Sequence, residues 1–300
     1  MISEVQSKSP LISVIITTYN SAETLPTLFK SIKVQTYKKL EIIVVDNHSD
    51  DKTVGVSKQY TRKIWSWGPE RSAQRNFGVS KSDGKYILIL DSDMELQKNV
   101  ISECVELAEK EQIKAIIIPE RTVGQGFIQN IRKFEREMYE GDLTIELARF
   151  YSKKIFLEVG GFDERLTGPE DYDLFYRVSK KTKIGRINSY NSSKARISSS
   201  AYILHHEEGL TLTKLLQKKF YYANKGALYA EKHPELIKLQ GTIIFRKSYL
   251  KNWKKFIQHP MTGLLFLGVR SLETIWAVAG FVSAVGLANF LKKLPSVFRP

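Results

Sequence analysis

The sequence predicts an α/β fold: a mostly parallel, Rossmann-like central sheet flanked by helices, with a C-terminal helical extension of different character. Two observations predict the sheet. Leu11–Thr17 (LISVIIT), Leu40–Asp46 (LEIIVVD), Lys85–Leu90 (KYILIL) and Lys114–Ile118 (KAIII) are continuous apolar runs, and strands without a polar face belong to sheets covered on both sides. Helical patterns separate these runs, and strand–helix alternation marks parallel strands joined by right-handed crossovers. A third observation sets the extension apart. Thr274–Leu291 runs uncharged throughout, and its ~18 residues make about 27 Å of helix, just enough to cross a hydrocarbon core.

The elements follow in order. Ala22–Gln35 places Leu25, Leu28, Phe29 and Ile32 at helical spacing, with Ser21 as the expected N-cap. Helices are expected over Ala73–Lys81 and Asn99–Glu111. Beyond about Pro119 the organisation changes. Gly126–Tyr139 reads as an amphipathic helix, Leu147–Ser152 as a strand, and Glu170–Lys180 as a helix whose start is marked by Gly168-Pro169. Ser199–His206 reads as a strand and Thr211–His233 as one long helix rich in Lys and Tyr. The expected organisation is an α/β domain over 1–210, a basic helical region over 211–258 and an apolar tail over 259–300.

Composition excludes several classes. Apolar residues at 42% and charged residues at 26% rule out a disordered or fibrous chain. One cysteine, Cys104, excludes an internal disulfide and a cysteine zinc site. The opening MISEVQSKSP lacks an apolar h-region, so no secretory signal is read and a reducing cytosol is expected. The net charge of +14 calls for a polyanionic neighbour. Between Lys214 and Gln258 eleven Lys/Arg face two acids, Glu231 and Glu235, and an apolar stretch follows. A basic segment leading into an apolar one suits an anionic membrane surface better than a nucleic-acid groove. The tail itself allows a span or re-entrant hairpin, an interfacial helix, or an apolar helix in a dimer interface. Lys251, Lys254 and Lys255 on one side and Lys292, Lys293 and Arg299 on the other give no charge asymmetry. Arg270 and Glu273 interrupt the wider apolar region, and at i,i+3 they can pair.

Ligands of open parallel sheets gather where the strands end. Those ends read Thr17-Thr18-Tyr19-Asn20, then Asp46-Asn47-His48-Ser49-Asp50-Asp51, then Asp91-Ser92-Asp93. Any one has ordinary turn composition; three in succession along one edge point to a site. Asp91 and Asp93, directly after a strand, suit a hard divalent ion held through oxygen, with positions left for phosphates. Gly168-Pro169-Glu170-Asp171-Tyr172-Asp173 opens a helix. First-turn carboxylates are favoured there by the helix dipole, and one of them could accept a proton from an attacking hydroxyl. Arg71 and Arg75, four apart on a helix, offer planar forks for a diphosphate or form a solvated face. His205-His206 ends a strand, so at most one ring faces the acidic edge, as a structural residue or as part of a metal site.

Taken together, SVIITTYN, EIIVVDNHSDD, ERSAQRNFG, ILILDSD and GPEDYDL, in this order and spacing, resemble a family 2 inverting glycosyltransferase of the GT-A fold. The resemblance covers roughly Leu11 to Lys232. It implies a hexosyltransferase in which Thr17 and Tyr19 line the nucleotide base pocket, with the Tyr19 ring on the base. Asp46 would bond the base or ribose, and Arg71 or Arg75 would help to hold the nucleotide. Asp91 and Asp93 match the DxD motif that binds the diphosphate through Mn2+ or Mg2+, with His206, preferred over His205, as the later histidine on metal or diphosphate. Asp171 would be the catalytic base. Asn47 departs from the pattern, standing where many members carry a second Asp. The Lys218, Lys219, Tyr221, Tyr222 helix and apolar tail resemble members acting at membranes on lipid-linked acceptors. The implied partners are a nucleotide-sugar donor, a lipid-linked or saccharide acceptor hydroxyl and an anionic membrane surface on the cytoplasmic side, without nucleic acid. The alternatives are transfer to a polyprenyl phosphate, or a non-catalytic nucleotide-sugar or nucleic-acid binder.

Overall fold

The computed structural model describes residues 9–187, 201–240, 246–287 and 289. Its first elements are β1 (Ile12–Thr18), α1 (Leu25–Lys33), β2 (Leu40–Asp46), α2 (Thr53–Ser57), β3 (Ile64–Ser66), α3 (Arg71–Ser80) and β4 (Tyr86–Asp91). Next come β5 (Met94–Leu96), α4 (Val100–Lys110), β6 (Ala115–Ile117), β7 (Glu120–Val123), α5 (Phe127–Tyr139), β8 (Ala148–Ser152) and α6 (Lys153–Glu158). The chain continues through α7 (Glu170–Ser179), β9 (Ile184–Arg186), β10 (Ile203–His206), α8 (Leu212–Lys225), α9 (Ala227–Lys232) and α10 (Pro234–Gln240). Last are α11 (Lys247–Lys251), α12 (Trp253–Gln258) and α13 (Pro260–Val285).

Seven strands form one sheet in the order β3–β2–β1–β4–β8–β6–β9, and β5–β10–β7 form a small second sheet. As the apolar runs predict, β1 to β4 are parallel. The antiparallel strand β8, between β4 and β6, departs from that pattern. Side chains alternate across the large sheet. Val14, Ile16, Val44, Leu88 and Leu90 pack with Leu28 and Phe29 of α1 and Ile101 of α4. Ile15, Ile43, Val45, Ile87 and Ile89 pack on the other side with Val79 of α3, Phe156 of α6 and Val178 of α7.

The chain divides into two compact units. One comprises Met1–Arg121, Leu147–Glu164 and Leu174–His206; the other comprises Thr122–Glu146, Arg165–Asp173 and Glu207–Pro300. Two earlier segments thus group with the C-terminal helices. The second unit has its own core, joining Ile131, Phe134 and Met138 of α5 to Leu215 of α8, Tyr249 of α11 and Phe266 of α13.

Three local expectations change. Ser21 does not cap α1: Thr24 precedes the helix, Pro26 lies in its first turn, and Ser21 Oγ donates to the Tyr19 carbonyl at 3.1 Å. The long basic helix is two, α8 and α9, separated at Gly226, a residue of poor helix propensity. The apolar helix starts at Pro260 instead of Thr274, because Arg270 and Glu273 lie on its buried face and do not interrupt it. Residues 288, 290 and 291 of the expected tail, its downstream basic residues, and Ser199 and Ser200 lie outside the described residues.

Helix α3 sits unusually close to the sheet at Gly78. A Cβ there would lie 2.6 Å from Ile15 Cγ2 and 3.2 Å from Val45 Cγ2. Gly78→Ala is therefore expected to lower stability by about 1–3 kcal/mol through overpacking. Urea unfolding would show a lower midpoint with an unchanged slope.

Candidate active site

Parallel pairing in register sets Thr17 opposite Asp91, and Thr18 opposite Asp46, at one edge of the sheet. The loops beyond are bonded to one another. Asn20 N donates to Ser49 Oγ at 2.8 Å, Asp50 N to Asn20 Oδ1 at 3.1 Å, and Ala22 N to Asp51 Oδ2 at 3.1 Å. Gln74, in the first turns of α3, donates to the carbonyls of Thr18 and Val45 at 3.1 and 2.8 Å. That clamp fixes the helix carrying Arg71 and Arg75 against the ends of β1 and β2.

Asp46 is buried and committed to its own loop. It accepts from Thr18 Oγ1 at 2.7 Å, Ser49 Oγ at 2.6 Å and Ser49 N at 2.8 Å. Thr17 is buried beside it, whereas the Tyr19 side chain stands 63% exposed at the rim. Arg71 is partly exposed, but Arg75 is wholly buried. Its Nη2 donates to Asp91 Oδ1 at 2.7 Å and its guanidinium lies 5.1 Å from the centre of the Phe162 ring. The anion that Arg75 meets directly is Asp91.

Asp91 and Asp93 are linked by a chain of alternating charge. Arg149 on β8 approaches Asp91 Oδ2 at 3.4 Å with Nη1 and donates from Nε to Glu120 Oε1 at 2.5 Å. Glu120 Oε2 lies 3.4 Å from His205 Nδ1, and His205 Nε2 lies 3.1 Å from Asp93 Oδ2. Burial would raise the pKa of Asp91, but Arg75, Arg149 and Arg71 outweigh it and hold the carboxyl well below its usual range. For His205, burial opposes the charged ring, yet the bonds to Asp93 and Glu120 prevail and its pKa is pushed up to about 9.

The two histidines separate as strand alternation requires. His205 faces Asp93, while His206 Nε2 lies 3.0 Å from Glu95 Oε2. The ring beside Asp93 is therefore that of His205, and the His206 ring turns to Glu95. The pleat reverses the two faces at each residue, and the pairing of His205 with Met94 on β5 fixes which ring turns inward. Arg149 and Glu120 escaped the sequence reading altogether. Asp91 and Arg149 are 58 positions apart and meet only because β8 pairs antiparallel with β4.

Asp171 belongs to the second unit and sits in the first turn of α7. Gly168, with φ +101°, makes the turn that leads into it. Of the three carboxylates in that turn, Glu170 and Asp173 are buried. Asp173 Oδ1 is held at 2.7 Å by both His233 Nε2 and Lys232 Nζ. Asp171 alone is partly exposed, so a dissolved hydroxyl can reach it and cannot reach its neighbours.

The profile of glycosyl transferase family 2 matches residues 13–162, half of the chain, a stretch that includes Asp91 and Asp93. The chain belongs to glycosyl transferase family 2. This family 2 glycosyltransferase is 26% identical to an uncharacterized glycosyltransferase of Rickettsia typhi, over 82% of this chain and 83% of the relative. It is 27% identical to the GalNAc(5)-diNAcBac-PP-undecaprenol beta-1,3-glucosyltransferase of Campylobacter jejuni, over 70% and 75%. Among solved structures, Staphylococcus aureus TarS 1–349 in complex with UDP superposes with TM-score 0.54 at 17% identity, covering 91% of this chain and 90% of that one. A mannosyltransferase from Pyrobaculum calidifontis, in complex with GDP-Man and Mn2+, gives 0.55 at 15% identity, covering 97% and 81%. At these identities the likeness is one of fold, and the fold is GT-A.

Proposed function

We propose that this enzyme moves a sugar, with inversion and with Mn2+ or Mg2+, from a nucleotide-sugar donor to a hydroxyl of a lipid-linked saccharide or glycolipid at the cytoplasmic face of a membrane. The observation that carries the reading is Asp93. Its side chain is 40% exposed and paired with an imidazole, directly beyond a strand whose terminal Asp91 already has two arginine partners. A hard carboxylate oxygen suits Mn2+ or Mg2+, and a cation bound there would displace the proton that Asp93 shares with the His205 ring. Among the described residues no three metal-ligating side chains converge, so Asp93 and His205 would be the protein donors, with diphosphate and water completing the set. A cation held there supplies Lewis-acid stabilisation for the departing nucleoside diphosphate.

The chain's own residues do the rest. The exposed Tyr19 ring stacks on the base, and the partly exposed Arg71 meets phosphate oxygens. Asp46 and Arg75 hold the edge from beneath. Asp171 takes the proton of the acceptor hydroxyl as that oxygen attacks the anomeric carbon, giving a β-configured product from an α-linked donor. The nucleotide complexes of TarS and of the archaeal mannosyltransferase support the donor class. The undecaprenol-linked substrate named for the Campylobacter relative supports the acceptor class. The helix next to the base does so too. The Tyr222 ring packs on Gly168, where a Cβ would lie 2.9 Å from it, and Lys218 Nζ lies 5.7 Å from the ring centre. An aromatic face with a cation beside it suits a saccharide carrying phosphate.

Calorimetry of nucleotide-sugar binding with and without Mn2+ tests the metal reading. Asp93→Ala and His205→Ala are expected to weaken Mn2+-dependent binding at least tenfold, whereas His206→Ala changes it by less than about twofold. Equal losses for the two histidine variants, or binding indifferent to Mn2+, would remove the assignment.

A further inference from the structure

We infer that α13 does not cross the membrane but lies in its plane, seated by one face on α5 and α8 while the opposite face enters an anionic bilayer surface. The inference rests on the membrane reading above and adds how the membrane is engaged. By length and composition the helix is able to span. Its two faces argue otherwise.

Gly263, Phe266, Val269, Glu273 and Gly280 are buried and fall on one side at 100° per residue. The contacts run along most of the helix. Phe266 packs on Phe134 of α5, with ring centres 5.4 Å apart. Arg270 Nη1 donates to Glu135 of α5 at 3.2 Å and pairs with Glu273, which Lys219 of α8 approaches at 3.5 Å. Further on, Asn224 Nδ2 donates to the Gly280 carbonyl at 3.2 Å, and a Cβ at Gly280 would collide with the Phe220 carbonyl oxygen. From Gly263 to Gly280 is about 25 Å of helix. To span, α13 would have to detach from these charged helices or take them along. Detachment would leave Arg270 and Glu273 near mid-bilayer, without Glu135 and Lys219, where unpaired charge is strongly disfavoured.

Both charges of α13 lie on the seated side, and the outward side is uncharged and mostly apolar, with Ser271 and Ser283 its exposed polar residues. Leu264, 67% exposed, leads a row with Leu272, Ile275 and Trp276, and α12 continues it with Trp253 and Ile257. Lys251 and Lys254, both exposed, flank that row. An apolar stripe with tryptophans and adjacent lysines is complementary to an anionic bilayer, where the ammonium groups meet headgroups and the rings sit at the interface.

Single-cysteine labelling of the full chain tests this, since the native Cys104 is buried and burial pushes its thiol up and out of reaction. Spin labels would be placed at Leu264→Cys, Leu272→Cys and Ala279→Cys and read on vesicles of phosphatidylcholine and phosphatidylglycerol. The three sites span about 22 Å of helix. The expected result is one shared depth, about 5–10 Å below the headgroups, with binding that weakens in pure phosphatidylcholine and in high salt. A depth that changes by about 20 Å from Leu264 to Ala279 would overturn the in-plane seat in favour of a span. Labels that stay in water, or become shielded only as protein concentration rises, would overturn it in favour of no membrane contact or of a second copy on this face. Mn2+-dependent donor hydrolysis is measured on the same preparations. If hydrolysis persists while the depth result fails, the seat falls and the transferase reading stands; if hydrolysis is absent, the transferase reading fails on its own.

Discussion

Asp171→Asn is expected to lower kcat for sugar transfer by about 10³-fold, within the range that general-base catalysis supplies, while calorimetric affinity for the nucleotide-sugar stays within about twofold. The expectation starts from the first turn of α7. Three carboxylates there could all serve the helix dipole, but Glu170 and Asp173 are buried and Asp173 is fixed by His233 and Lys232. Asp171 is left partly exposed, with a position in the turn that its neighbours hold rigid. Asparagine keeps the size and the hydrogen-bonding acceptor of aspartate and removes only the basic oxygen, so a selective loss of turnover isolates proton transfer. Donor affinity should survive because the residues proposed to hold the donor, Tyr19, Arg71, Asp93 and His205, all belong to the other unit. Turnover near the wild-type rate would refute Asp171 as the base. It would favour an acceptor that attacks with an already ionised oxygen, such as a polyprenyl phosphate, where no base is needed.

What the sequence made legible follows from burial. β1, β2 and β4 lie inside a two-sided sheet, so their apolar runs could not be mistaken, and the acidic residues that end them inherit the positions those strands fix. β3, β5, β6 and β9 have three residues each, too few for a period to show; only β6, inside KAIII, was read. Adjacent histidines pose a parity problem: alternation says that one ring turns inward, but which one depends on the pairing of His205 with Met94, a long-range register. Arg149 gave no local sign, because a lone arginine in a short strand acquires meaning only from the partner strand that brings it to Asp91. The burial of Arg75 is hidden for a related reason. Helical spacing puts the residue on a face with Arg71 but cannot tell that this face, at Arg75, turns under the sheet edge. The start of α13 was hidden because Arg270 and Glu273 look like breaks until Glu135 and Lys219 are known to receive them.

Arg75 carries the other large expectation: Arg75→Met should destabilise the metal-free protein by about 3 kcal/mol, the low end of what removing one partner from a buried ion pair does, because Arg75 is wholly buried while Asp91 keeps 28% exposure. Arg75 is the larger contributor to the low pKa of Asp91, ahead of Arg149. Methionine fills much of the space against Phe162 but leaves Asp91 facing Arg149 at 3.4 Å and no close partner for Oδ1. The pH dependence has a definite sign. A carboxylate with a depressed folded pKa contributes stability above its unfolded value, near pH 4, and loses that contribution as pH falls toward the folded value. The gap between wild type and variant should therefore be full at neutral pH and narrow below about pH 4, where the unfolded chain takes up a proton that the folded Asp91, held by its arginines, still excludes. Urea unfolding at several pH values in chelator-treated buffer would show it. The double variant Arg75→Met/Asp91→Asn should be less destabilised than the sum of the singles, because it removes both charges instead of stranding one. Additive losses would mean that Arg75 stabilises the fold through its packing on Phe162 and that Asp91 is held by Arg149 and Arg71 alone. In that case the edge from which Asp93 projects would not depend on the buried pair beneath it.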